Sequence, residues 1–176
     1  IFTYDNADFA TRIFVEHQTV AYGKYDIYGN AFEQVMKRYD ESGELLDTKN
    51  IVNNVPVSGK PVVSEIEMLL GQNRNSDIIT LDSDGNFSEH QFVEYAKYDI
   101  RGNAIEQNVT RYAADQAVLD IKELSSVYAG INAVKGQADS TIVVTKRGDG
   151  STLESQSVEY MAYDAYGNAL NKKVTR

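Results

Sequence analysis

Three copies of one short pattern constrain this chain more than anything else in it. Tyr25-Asp26-Ile27-Tyr28-Gly29-Asn30-Ala31 returns at Tyr98 to Ala104 and again at Tyr163 to Ala169. Extended outward, Tyr22–Tyr39 and Tyr95–Tyr112 agree at 12 of 18 positions, and Tyr160–Arg176 agrees with the second copy at 9 of 17. The copies stand 73 and 65 residues apart, too long for one solenoid turn and suited to a small unit of several elements. The spacing predicts three repeat units, 1–76, 77–139 and 140–176, the last incomplete.

Within the pattern an Asp opens the turn, where its side chain accepts from the backbone two residues on, and a Gly three residues later supplies positive φ. That is a type I turn closed by a glycine bulge, a common link between antiparallel strands. Asp26, Gly29 and Asn30, Asp99, Gly102 and Asn103, and Asp164, Gly167 and Asn168 are therefore read as structural turn residues. A catalytic Asp is the sharper alternative, but an Asp recurring with its Gly is accounted for by backbone geometry.

Each unit opens with a hairpin: Ile1–Tyr4 before Asp5 to Asp8, Ile78–Leu81 before Asp84-Gly85, Thr141–Thr145 before Asp149-Gly150. Long second strands follow, at Phe9–Tyr25, Phe87–Tyr98 and Leu153–Tyr163, and after the repeated turn third strands at Ala31–Tyr39, Ala104–Tyr112 and Ala169–Arg176. A turn at Asp40 to Gly43 leads to a fourth strand at Glu44–Val52, matched by Ala117–Lys122. Next, Val62, Val63, Ile66 and Leu69 superpose on Val127, Tyr128, Ile131 and Val134, one helical face ending at Gly71 and Gly136. Ser58 and Ser125 are the expected N-caps, with Pro61 in the first turn. The fold class is α+β and strand-dominated, tandem ββββα units of antiparallel hairpins with the helix laid over one sheet face. Since Val62-Val63 and Val127-Tyr128 are also strand formers, the alternative is an all-β repeat array. The third unit has no fourth strand or helix, so it is expected to show an unpaired sheet edge unless another chain or a following unit covers it.

Composition narrows the function. At 176 residues the chain is long enough to bury a core. A net charge of −9 disfavours nucleic acid and anionic membrane surfaces. Without cysteine there are no disulfides, zinc-thiolate sites or iron-sulfur clusters. No apolar run approaches the roughly 20 residues of a membrane span, so no membrane insertion is expected. The chain starts at Ile1 and stops in mid-unit, which reads as a piece of something longer.

Candidate sites are few, and no cofactor is expected apart from calcium. Asp82, Asp84 and Asn86, with Glu89 near, alternate oxygen ligands as a calcium loop does, without the full 12-residue pattern. His17 and His90 both stand in Glu-His-Gln, where alternation sends Glu and His to opposite faces and leaves the histidine cross-strand. Arg147-Gly148-Asp149 spells an integrin-type tripeptide that its hairpin tip already requires. Lys24 and Lys97 beside Asn30 and Asn103 suggest an isopeptide crosslink, against which Ala162 replaces the lysine in the third copy. Tyr22 and Tyr25, Tyr95 and Tyr98, and Tyr160 and Tyr163 recur as pairs three residues apart. By alternation each pair splits between faces, one ring under the helix and the other in an exposed ladder suited to sugars or another subunit.

The strings YDIYGNAFEQVMKRYDESGELL, YDIRGN and YDAYGN resemble the YD repeats of Rhs-type bacterial surface and toxin-shell proteins, where Tyr-Asp-x-x-Gly recurs on successive hairpins. The units here are longer than the roughly 20-residue YD repeat. The resemblance implies a large, repetitive, extracellular bacterial protein and supplies no catalytic residue. The expected function is a structural tandem-repeat segment of a bacterial surface or filament protein, a spacer, fibre or stalk that self-associates with like units or chains. The first alternative is an adhesin module binding glycans or a host protein. The second is a glycosidase, which needs paired acids that the sequence does not gather, so the chain is read as no enzyme.

Overall fold

The computed structural model describes residues 2–4, 14–164 and 167–176. Among them eleven strands lie side by side, in chain order, in one sheet. They are β1 (Phe2–Tyr4), β2 (Phe14–Tyr22), β3 (Glu33–Asp40), β4 (Leu45–Asn53), β5 (Asn75–Asp82), β6 (Phe87–Tyr98), β7 (Ala104–Tyr112), β8 (Val118–Val127), β9 (Ser140–Arg147), β10 (Thr152–Tyr163) and β11 (Ala169–Thr175). Each strand is antiparallel to the next, so the sheet is a single meander. Runs such as Ser140–Arg147 (STIVVTKR) supply the β-branched residues that suit a pleated, half-wet surface.

The order repeats every four strands. Gln34 faces Ile51 and Arg38 faces Asp47 between β3 and β4; 73 residues on, Gln107 faces Leu124 and Arg111 faces Asp120 between β7 and β8. On the next strand the offset is 65: Asp47 faces Asp82 where Asp120 faces Arg147. The length difference between units is thus taken up in the β4–β5 and β8–β9 connections, and strand register is untouched.

The hairpins share one closing pattern. At Asp26, Asp40, Asp82, Asp99, Arg147 and Asp164 the residue donates its N–H to the carbonyl four positions on and accepts from the glycine three positions on. The glycines take positive φ, 86° at Gly102 for instance. The turn from Ala113 to Ala117 closes identically but sets Gln116 in the glycine place, at φ 67°.

Two expectations fail here. Helices α1 (Glu65–Leu69) and α2 (Gly130–Lys135) are single turns in the connections, and neither lies on a sheet face. Their expected packing residues stay in water: Val62, Ile66, Leu69, Ile131 and Val134 are all exposed. The caps explain the shortness. Ser64, not Ser58, is the N-cap of α1 and forms a capping box with Glu67, while Gly71 at φ 68° ends the turn just beyond Leu70. Ser125 lies inside β8, and α2 starts after Ala129 and stops at Gly136. Five residues span only about 7.5 Å, too little to cover a sheet. The architecture is therefore the all-β array, with two helical turns at strand ends.

Second, there is no two-sided core. Among the described residues only Val93 and Ala133 are buried apolar side chains. The chain exposes 11266 Å², against about 8,600 Å² expected of a globular monomer of this mass. Register sends the buried strand residues Asn53, Ser76, Thr80, Val93, Asp120 and Thr141 to one face, where Val20, Met36, Ile51, Ile78, Val109, Leu124, Val143 and Val158 are half-buried, while Asn75, at the start of β5, is buried on the other. That burial comes from neighbours in the same layer, so cross-strand pairs replace a core as the unit of stabilisation.

Candidate functional site

The repeated turn does more than reverse the chain. Asp99 Oδ1 accepts the amides of Arg101 (2.8 Å) and Asn103 (2.9 Å), and Oδ2 accepts the Asn103 side-chain amide (2.8 Å). The same Asn103 nitrogen donates to the Ala133 carbonyl of α2 at 2.8 Å. Asp26 and Asn30 repeat the arrangement, with Asn30 reaching the Met68 carbonyl of α1 at 2.5 Å. The asparagine is a latch between a hairpin and the helical turn that follows it. Glycine is favoured opposite because Gly71 and Gly136 take positive φ, 68° and 70°; a Cβ there would itself make only ordinary contact with the Oδ1 of Asn30 or Asn103, at 3.4 or 3.5 Å. The Asn103 side-chain amide, outweighing desolvation, and then the backbone amides of Asn103 and Arg101 hold the Asp99 carboxyl below the usual carboxylate range.

A second joint lies at the other end of the same strands. Arg38 of β3 forks onto Asp47 of β4, its Nε 3.0 Å from both oxygens, and reaches Glu16 of β2 at 3.5 Å. Arg111 of β7 does the same to Asp120 of β8 (Nε–Oδ1 2.8 Å) and Glu89 of β6 (3.1 Å). Each arginine thus ties three strands. The Arg38 and Arg111 hydrogen bonds, against desolvation, hold Asp47 and Asp120 below the usual carboxylate range. Neither joint was read from the sequence. The signals were there: an Asn held at the fifth turn position where only Gly is needed, and an Arg at a fixed repeat position with Asp nine residues on.

The tyrosine pairs do not split between faces. Register breaks at Tyr95/Lys97 and at Tyr160/Ala162 bring both rings of a pair to one side, with centroids 6.0 Å apart for Tyr95 and Tyr98 and 5.9 Å for Tyr160 and Tyr163. Nor does either ring lie under a helix. Tyr98 donates its hydroxyl to the Asn73 carbonyl in the loop after α1 (2.6 Å), and Tyr163 bonds the Ala138 carbonyl after α2. Burial, and then the neighbouring Tyr95, push the Tyr98 hydroxyl up to about 12. Tyr22 and Tyr25 (6.4 Å) are more than half exposed and, with Asn30, Gln34, Asn53 and Asn73, line an open cleft of about 450 Å³.

The remaining candidates are spread apart. Asp82 Oδ1 accepts the amides of Asp84 (3.0 Å) and Asn86 (2.8 Å), and Asn86 Nδ2 bonds Oδ2 at 3.4 Å, so this carboxylate closes its own turn while Glu89 faces Arg111. No group of three His, Asp or Glu among the described residues could hold a metal ion. His17 stacks on Tyr39 and His90 on Tyr112, with His90 Nε2 2.7 Å from Asp77, while Glu16 and Glu89 serve the arginines on the other face. Asp149 accepts from the Ser151 amide at the exposed β9–β10 tip. Lys24 and Lys97 face Glu33 (2.7 Å) and Glu106 (3.7 Å) rather than the asparagines. Asp5 and Asp8 lie outside the described residues. Among the described residues no helix is long and apolar enough to cross a membrane.

Neither a family model nor a curated protein matches this chain. Among solved structures, a chain of the Photorhabdus luminescens Tc holotoxin pore, in a form mutated in TccC3, is similar at 14% identity with a TM-score of 0.18. The match covers 93% of this chain and 9% of that one, so this chain spans less than a tenth of its length. A likeness at that level decides neither fold nor role.

Proposed function

We propose that this chain is a structural tandem-repeat segment of a bacterial extracellular surface or filament protein, a spacer, fibre or stalk, with no catalytic task. One observation carries the reading: the asparagine latch and the three-strand arginine fork recur in the same register, so the distinctive polar residues serve to join neighbouring strands. The carboxylates of Asp26, Asp82 and Asp99 are taken up in turns, and those of Asp47 and Asp120 in forks. A sheet of this kind grows by adding units, each touching only the next, which suits a repetitive scaffold. The YD-like turns agree with an extracellular bacterial setting, and self-association would use the sheet edges. Small-angle scattering tests the shape: the expected radius of gyration lies well above the about 16 Å of a compact chain this long. A compact value would overturn the reading.

The Tyr22–Tyr25 cleft favours a second reading, a glycan-binding adhesin module, because two exposed rings beside amide side chains are what a sugar face needs. A glycan array with the Y22A/Y25A variant as control tests it; a signal lost in the variant would establish it.

A further inference from the structure

Asp84-Gly85-Asn86-Phe87-Ser88 and Glu106-Gln107-Asn108-Val109-Thr110 share a pattern that the repeat does not need: an acid, an asparagine two residues on and a hydroxyl two beyond that. Asn-x-Ser/Thr is the acceptor motif of N-linked glycosylation, and bacterial transferases also read the preceding acid. Both stand in the second unit; 65 residues on, Ser151 and Lys173 take the asparagine places. The fold opens one and closes the other. Ser83 to Ser88 are exposed without a break at the β5–β6 tip. A register shift pairs Leu81 with Phe87 and Thr80 with Glu89, which leaves Ser88 as the extra, bulged residue. Asn108, by contrast, is half-buried inside β7, opposite Glu94 on one side and Glu123 on the other. The amides of the turn asparagines differ too. Asn103 Nδ2 donates at 2.8 Å to both Asp99 and the Ala133 carbonyl, whereas the bond from Asn86 Nδ2 to Asp82 is 3.4 Å long. The β5–β6 tip lies at the end of the sheet away from α1 and α2, whose carbonyls occupy Asn30 and Asn103.

We propose that Asn86 is an acceptor for an N-linked oligosaccharide, and that Asn108, with the same motif, is not one in the folded chain. The donor is a glycan carried on a polyprenyl diphosphate. Asn86 Nδ2 attacks the anomeric carbon of the glycan, and a C–N bond forms as the bond from that carbon to the diphosphate oxygen breaks. The electron pair of the broken bond leaves with the lipid diphosphate, and one Nδ2 proton passes to a base of the transferase. To present the asparagine the tip has to yield little more than its own closing bonds, Asp82 N–H to the Asn86 carbonyl (2.9 Å) and Gly85 N–H to the Asp82 carbonyl (3.1 Å). Asn108 would have to leave a ladder that is paired on both sides. Such transfer takes place outside the cytoplasm, so the site rests on the bacterial extracellular setting proposed above.

The purified 176-residue chain, incubated with a bacterial oligosaccharyltransferase and a polyprenyl-diphosphate-linked oligosaccharide, is read by intact mass and peptide mapping. One glycan is expected, on Asn86. N86Q and S88A should abolish it, D84N should slow transfer about tenfold, the worth of one charge-assisted contact, and N108Q should change nothing. No transfer to the folded chain overturns the proposal, as does transfer at Asn108 or transfer that survives N86Q. If the chain fails, a synthetic peptide of residues 82–91 tells whether the motif or the folded tip is at fault. Scattering reports the sheet and mass spectrometry the tip, so either reading can fail alone.

Discussion

Arg111 and Arg176 occupy the same place in two copies of one sequence pattern, yet they live in different surroundings. Arg111 lies between Glu89 and Asp120 and is 33% exposed; Arg176 is paired, among the described residues, with Glu154 and is 73% exposed. Asn103 and Asn168 differ likewise: both bond the aspartate of their turn, and only Asn103 reaches a helix carbonyl. The hairpin is thus a local product of its own residues, while the fork and the latch exist only where a further strand and helical turn stand alongside. Energy in this sheet belongs to junctions.

The comparison breaks most severely at Asp120. Its replacement by Ala leaves Arg111 half-unpaired and should cost about 2 kcal/mol, whereas Glu154→Ala, at an exposed pair, should stay within about 0.5 kcal/mol in urea unfolding. Equal losses would mean that flanking does not matter. Asn103→Ala should lower stability by about 1–2 kcal/mol and Asn168→Ala by less than about 0.5 kcal/mol, because only the former gives up a link across the chain. In hydrogen exchange the Asn103 variant should loosen α2 while β9 keeps its protection.

A gain is expected from the odd hairpin. Gln116 holds the left-handed position that Gly102 holds in its own turn, so Gln116→Gly should add about 1 kcal/mol, read as a higher unfolding midpoint. Acid tests the forks: Asp47 and Asp120 have folded pKa values below their unfolded ones, so their contribution is whole above about pH 4 and fades as pH falls through the folded values. Asp120→Asn should flatten that limb of a pH–stability curve. The smallest effect is invisible at neutral pH. Tyr98 has a raised pKa, so its contribution is complete below about pH 10 and disappears as pH climbs toward 12, an alkaline limb that Tyr98→Phe should remove.

Much of the meander was legible because its signals are local. Asp26 and Gly29 announce their turn within four residues, and alternation marks the strands on either side. The helices were misread because Val62, Val63, Ile66 and Leu69 have helical spacing whether or not anything packs against them; the capping box at Ser64 and Glu67 was the better guide to where the turn begins. The tyrosine pairs were misplaced because a bulge adds a residue without changing composition, and it reverses the face of everything beyond it. The Asn30–Met68 and Asn103–Ala133 latches span 38 and 30 residues, beyond the reach of any local pattern.

The linear strand order has a mechanical side. β1 and β11 are at opposite edges, roughly 48 Å apart at ordinary strand spacing, so tension applied through them runs along the hydrogen bonds and loads one junction at a time. Such a ribbon yields by unzipping. Each peeled strand of nine residues pays out about 30 Å of slack, and the arginine forks and asparagine latches set where peeling pauses. A segment of this kind would lengthen in steps under load and re-fold strand by strand when the load is released.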